Sequence, residues 1–200
     1  MSSPRLSNGA RLFGVVLFGV AWLFALGVYA RAITEDGVGG SLFIPSNLDD
    51  AKRLHVMLAR LLADRFSATV ILFAATYLWK QSFAVPGSAV LNVLAGALFG
   101  CWRGLLFTTV LTACGASICF LMSRGVGVDA ITSAFPAFRN KLESLRMLVD
   151  AEKKSGTLFL WLVSARLFPF TPNWLLNMAY PHIGISCRLH FVTILSLIHI

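Results

Sequence analysis

Lys80-Gln-Ser-Phe-Ala-Val-Pro86-Gly-Ser-Ala-Val-Leu-Asn92 and Arg166-Leu-Phe-Pro-Phe-Thr-Pro172-Asn-Trp-Leu-Leu-Asn177 state one pattern twice, about 85 residues apart. In each, a cation stands six residues before a proline, and an asparagine follows the proline by five or six. A charge, a helix-breaker and an amide at matching places in oily sequence describe a broken membrane helix with a polar site. Paired interruptions of this kind are the best sequence pointer to a pathway through an inverted-repeat membrane protein.

The rest of the chain supports a membrane setting. Its 200 residues are 57% hydrophobic and only 13% charged, where a soluble domain carries about a quarter charged residues. The composition describes an all-α integral membrane protein with one membrane domain. A net charge of +8 suits contact with anionic lipid, while the scattered basic residues and the lack of any nucleic-acid motif argue against DNA or RNA as a partner. Cys101, Cys114, Cys119 and Cys187 lack CxxC or Cys/His spacing and read as buried thiols rather than disulfides or ligands. His182, His190 and His199 do not form a metal set, and no Walker A sequence or Ser/His/Asp arrangement is found. The chain therefore reads as a non-enzyme with no cofactor and no metal.

Working outward from the repeated pattern, residues 12–30 form an uncharged run long enough to span a bilayer. Arg5 and Arg11 place its start in the cytosol, so 1–30 is a cytosolic N-terminus and first membrane helix. A cleaved signal peptide is the alternative, because Val28-Tyr-Ala30 resembles a cleavage site. Residues 31–66 are a lumenal segment in which Ser46 or Asn47 caps a surface helix with a Leu54, Leu58, Leu61 and Leu62 stripe. Within 67–200, apolar pieces on either side of Lys80, Gln81, Ser82 and Pro86 make a re-entrant hairpin over 67–99. Residues 101–122 make a full span with small packing residues such as Gly115 and Ala116. Residues 123–156 are an amphipathic linker, with Phe138, Leu142, Leu145 and Val149 opposite Arg139, Lys141, Arg146 and Lys153. A second hairpin follows over 157–181, broken at Arg166, and 186–200 begins a further, incomplete helix.

The two units align in detail. Lys80 matches Arg166 and Pro86 matches Pro172; Asn92 matches Asn177, Arg103 matches Arg188 and Thr108 matches Thr193. A hairpin does not change sides of the membrane, whereas a span does. The second unit therefore enters from the opposite face, and the two tips are expected to meet near the bilayer midplane.

A cation at membrane depth costs several kcal/mol unless it is paired, hydrated or able to reach the interface. Neither hairpin contains an acidic residue. A wet groove that offers lipid phosphate to Lys80 and Arg166 satisfies both, with Asn92, Asn173 and Asn177 adding amide donors and acceptors. The chain ends of half-helices after Pro86 and Pro172 favour an anion at the same place. Against this, Lys80 snorkels if its hairpin is shallow, Arg166 caps carbonyls of the broken helix, and the asparagines glue helices together. Gly87, Gly96 and Gly100 read as close-packing glycines, and Trp174 as an anchor.

The stretch Tyr77-Leu-Trp-Lys-Gln-Ser-Phe-Ala-Val-Pro-Gly-Ser-Ala-Val-Leu-Asn-Val-Leu-Ala-Gly-Ala-Leu-Phe-Gly100, with Arg166 to Asn177, resembles the transmembrane protein 41 family. That family is the eukaryotic branch of the DedA superfamily, also called the VTT or SNARE-associated Golgi protein domain. The resemblance covers about residues 42–196. It implies an inverted-repeat fold with two re-entrant hairpins, and residence in the endoplasmic reticulum membrane, with the Golgi as the alternative. It also implies ATP-independent phospholipid scrambling, linked in related members to lipid supply for autophagosomes and lipoproteins. Bacterial members carry an acid near the position of Ser88 and a second arginine near Asn173. Both positions are neutral here, which fits passive exchange rather than proton coupling. The family continues through another helix after this C-terminus, which implies a shortened product. A trafficking scaffold acting through the surface helices, or a secondary transporter of a small anionic solute, are the competing functions.

Overall fold

The computed structural model describes residues 8–34, 48–85, 88–134, 136–168 and 172–196. The expected caps Ser46 and Asn47, together with Pro86, Gly87 and His199, lie outside the described residues, as do the side chains of Leu54, Leu58 and Leu61. The described chain is helical throughout, with no strand among the described residues.

Helix α1 (Asn8–Thr34) and α5 (Cys101–Val126) are long and apolar enough to cross a membrane. At 1.5 Å per residue, helices of this size measure about 40 Å, against a hydrocarbon core of about 30 Å. Helix α1 turns Phe13, Val16, Phe24 and Val28 outward, with Phe24 74% exposed. An apolar face of that kind belongs against lipid tails rather than water. It docks on α3 (Phe66–Ser82) at a glycine: the Trp79 indole Nε1 donates to Gly19 O at 3.0 Å. A Cβ on Gly19 would stand 2.8 Å from the Phe83 ring, so the two helices meet through the missing side chain. Helix α1 packs on α3 and α5.

Two helix–bend–helix units follow. In the first, α3 is joined to α4 (Ser88–Phe99); in the second, α8 (Leu158–Leu167) is joined to α9 (Asn173–Ala179). Helices α4 and α8 are apolar but measure only about 15–18 Å, too short to cross alone. Each unit leads through a glycine in the left-handed region, Gly100 (φ 85°) or Gly184 (φ 75°), into a further helix, α5 or α10 (Cys187–Leu195). The correspondence therefore extends beyond the residues that first displayed it.

The first bend differs from expectation. Lys80, Gln81 and Ser82 are not in the bend; they form the last turn of α3, because nothing in the sequence disfavours helix before Pro86. The helix closes with Val85 N–H donating to Lys80 O at 3.0 Å and Ala84 N–H donating to Gln81 O at 3.4 Å. These are the two bonds of a Schellman cap, whose left-handed position is usually glycine. Here it is Ala84, at φ 56°.

Helix α5 is the centre on which both units pack. A Cβ on Gly104 would stand 2.7 Å from Ala95 O of α4, and one on Gly115 2.6 Å from Gln81 Cβ of α3. Ala113 and Ala116 are fully buried against Ile194 of α10. Among the described residues the close-packing glycines are therefore Gly104 and Gly115 on α5, with Gly19 on α1. A Cβ on Gly96 or Gly100 would meet nothing within 4 Å, although the Gly96 backbone lies under Gly104. Of the four cysteines only Cys119 is buried, and Cys101 is exposed at the start of α5, so the expectation of four buried thiols is corrected.

Polar sequence after α5 forms α6 (Val128–Ala134) and α7 (Pro136–Ser155). The predicted stripe of α7 turns inward: Phe138, Leu142 and Val149 pack with Leu162, Leu175, Leu176 and Tyr180 in the largest apolar cluster. Two cations on its flanks grip the turn before α10. Arg146 donates to His182 O at 3.0 Å, and Lys153 to Ile183 O and Gly184 O at 3.3 Å.

Candidate functional site

The bend of the first unit and the start of α9 enclose a partly open cavity of about 520 Å³. Lys80, Gln81 and Tyr77 reach it from the last turns of α3, since residues three and four apart share a helix face. Ser88 and Asn92 reach it from α4, Thr112 from α5, and Asn173, Trp174 and Asn177 from α9. Side chains from both units thus share one polar space.

The wall on the α4 side is a relay of hydroxyls. Tyr77 donates to Asn92 Oδ1 at 2.9 Å, and its oxygen lies 2.8 Å from Thr112 Oγ1. Tyr77 has one proton and gives it to Asn92, so Thr112 is the donor in the second bond. Lys80 Nζ stands 5.9 Å from the centre of the Tyr77 ring, within the range of a cation–π contact. Among the described residues no hydrogen bond or ion pair reaches its ammonium group, and no carboxylate lines the cavity. A cation with that setting draws anions into the space it faces.

Arg166 is not part of this lining. It occupies the last turn of α8 and is buried in a network of its own. One guanidinium nitrogen donates to Asn177 Oδ1 at 3.3 Å and another to His190 Nδ1 at 2.9 Å. Because a guanidinium only donates, His190 Nδ1 accepts and its proton is on Nε2, which donates to Ala116 O at 3.3 Å. The guanidinium carbon stands 5.3 Å from the Tyr180 ring, and the imidazole lies between Phe120 and Tyr180. Among the described residues, Arg166 Nε and the Tyr180 hydroxyl are buried without a hydrogen-bond partner. The arrangement holds α8, α9, α10 and α5 together. Asn177 is its link to the cavity, touching Arg166 on one side and lining the polar space on the other.

Of the residues singled out from sequence, the structure gathers Lys80, Asn92, Asn173 and Asn177 at the cavity and sets Arg166 behind Asn177. Pro172 is exposed and opens α9, its carbonyl accepting from Leu175 N–H at 2.9 Å. Tyr77 and Thr112 were not expected at the site, and Gln81 and Ser88 were noted only as part of the polar interruption and as a neutral position. Tyr77 is three residues before Lys80 on one helix, a spacing that could have found it. His190 and Tyr180 had no such signal, since their partner is 24 and 14 residues away.

Comparison with known proteins places the chain in a family. Residues 85–197 match the VTT domain. The chain is 31% identical over 137 residues to the transmembrane protein 41 homolog of Caenorhabditis elegans, covering 68% of this chain and 54% of the relative. It is 27% identical to transmembrane protein 41B of Gallus gallus, over 77% of this chain and 55% of the relative. It is likewise 27% identical to transmembrane protein 41B of Homo sapiens, over 74% and 50%. The chain therefore spans about half the length of the relatives it matches. No solved structure matches it significantly.

Proposed function

Because this chain belongs to the VTT-domain family, among its transmembrane protein 41 members, we propose that it is an ATP-independent phospholipid scramblase of the endoplasmic reticulum membrane. The two helix–bend–helix units act as re-entrant hairpins of opposite direction, with their bends facing one another across the polar cavity. The lipid headgroup crosses through that cavity, so the phosphate exchanges water for Lys80 and the amides of Asn92, Asn173 and Asn177.

The observation that carries this reading is Lys80. It is a cation among apolar helices, directed at a polar cavity of about 520 Å³ with no carboxylate among its described lining residues. The cavity places protein and water around a phosphate at a depth where bare lipid offers neither, which lowers the barrier to leaflet exchange. A passive device of this kind equilibrates leaflets and needs no enzyme chemistry and no cofactor.

The test is leaflet exchange in liposomes. Purified full chain is reconstituted with a trace of headgroup-labelled phospholipid, and the fraction open to a membrane-impermeant quencher is followed. The reading expects that fraction to rise from about half toward completion without ATP. Quenching that stops at the level of empty vesicles, with the protein shown to be folded, contradicts it. Uptake of a small anion that depends on an ion gradient, without lipid exchange, favours a solute transporter instead.

A further inference from the structure

We propose that the apolar cavity adjoining the polar one is an acyl-chain site, which receives one chain of the same phospholipid whose headgroup the polar cavity takes. The proposal deepens the scramblase reading and rests on it. Its substrate class is a two-chain glycerophospholipid held by head and tail together.

The second cavity has a volume of about 410 Å³ and lies between the first bend, the start of α7 and α9. Its walls are Ala84, Ala137, Phe138, Trp174, Leu175 and Met178, with the Lys141 ammonium as the charged group among its described lining residues. The volume is within the range of small-molecule sites, about 300–1,000 Å³. The apolar cavity adjoins the polar one: Trp174 and Ala84 line both. A polar space facing a cation with no hydrogen-bond or ion-pair partner among the described residues, next to an apolar space of similar size, matches the two halves of an amphiphile. A small hydrophilic anion would use the first space and leave the second unexplained.

The junction itself is built at a cost. Ala84 also lines a third, smaller cavity of about 150 Å³ against α1, so it stands where all three spaces adjoin. Its φ of 56° makes it the sole non-glycine residue in the left-handed region among the described residues. A larger side chain there would have to be accommodated at the boundary of the polar and apolar cavities, where alanine presents only a small apolar group.

Photolabelling tests the site without relying on transport. The full chain is reconstituted in phosphatidylcholine vesicles containing phosphatidylcholine with a diazirine in one acyl chain, then irradiated. A parallel sample contains a diazirine fatty acid of the same length, and adducts are mapped by mass spectrometry. The proposal expects phospholipid adducts on the segments 137–142 and 174–178. Ala137→Trp, on the exposed rim of the apolar cavity, should lower their yield about tenfold, the equivalent of losing roughly two buried methylenes. Adducts confined to outward side chains such as Phe24, Val93 and Leu160 would overturn it. So would labelling of these segments by the fatty acid alone, which would assign the cavity and Lys141 to a free carboxylate. Leaflet exchange with no adducts in the cavity sinks this inference alone. Adducts without exchange sink the scramblase reading and leave the chain site standing.

Discussion

Lys80 and Arg166 stand at equivalent places in the two repeated units and are equally buried, each 7% exposed. Each is in the last turn of its helix, and each lies over a tyrosine ring. Their surroundings are nevertheless opposite. Lys80 faces a polar cavity, and no hydrogen-bond partner reaches it among the described residues. Arg166 donates to Asn177 and His190 and is shut away from the cavity. The same sequence position faces a polar cavity in one copy and ties a buried network together in the other. Burial alone would not have separated them; the partners do. The choice of cation agrees, because a planar guanidinium serves several fixed acceptors while an ammonium on a flexible stem serves a mobile anion.

Breaking this contrast should give effects in a definite order. The largest belongs to Arg166→Ala. It leaves His190 Nδ1 and Asn177 Oδ1 buried without their donor, and should cost about 3 kcal/mol or more. Thermal unfolding in detergent should show the loss, and Arg166→Lys should fail to restore it, because one ammonium cannot reproduce the fork. Next comes Gly115→Val, which forces a side chain into Gln81 of α3 and should cost about 1–3 kcal/mol by the same measurement. Gly96→Ala, which meets open space, is the control and should melt close to wild type.

A smaller effect with the opposite sign is expected at the bend. Ala84→Gly relieves the left-handed strain and should raise stability by about 1 kcal/mol. A lowered melting temperature would show that the Ala84 methyl contributes more through packing than its backbone conformation costs.

Much of this arrangement was legible in the chain. Prolines and charges inside apolar runs announced the two interrupted helices, because few other reasons put Lys80, Pro86, Arg166 and Pro172 in such company. The shared cavity followed from pairing the units. What the sequence did not disclose depends on rotation and distance. Small residues marked α5 as a packing helix, but only the orientation of each backbone shows that a Cβ on Gly104 or Gly115 would strike a neighbour while one on Gly96 or Gly100 would meet nothing within 4 Å. The Arg166 network joins α8 to a histidine on α10 and to Ala116 on α5, residues with no common period or motif. Composition likewise separated α7 into an apolar stripe and a charged face. It could not show Arg146 and Lys153 folding back onto the carbonyls of the turn before α10.

The central claim is that Lys80 works on the lipid and Arg166 on the fold. Leaflet exchange and thermal unfolding of Lys80→Ala, measured on the same purified preparation, test it most directly. The account predicts a melting transition within about 1 kcal/mol of wild type and exchange slowed about tenfold, the loss of one modest charge contact. Lys80→Arg should keep most of the rate. Exchange at the wild-type rate in Lys80→Ala, or a collapse of stability like that of Arg166→Ala, would contradict it.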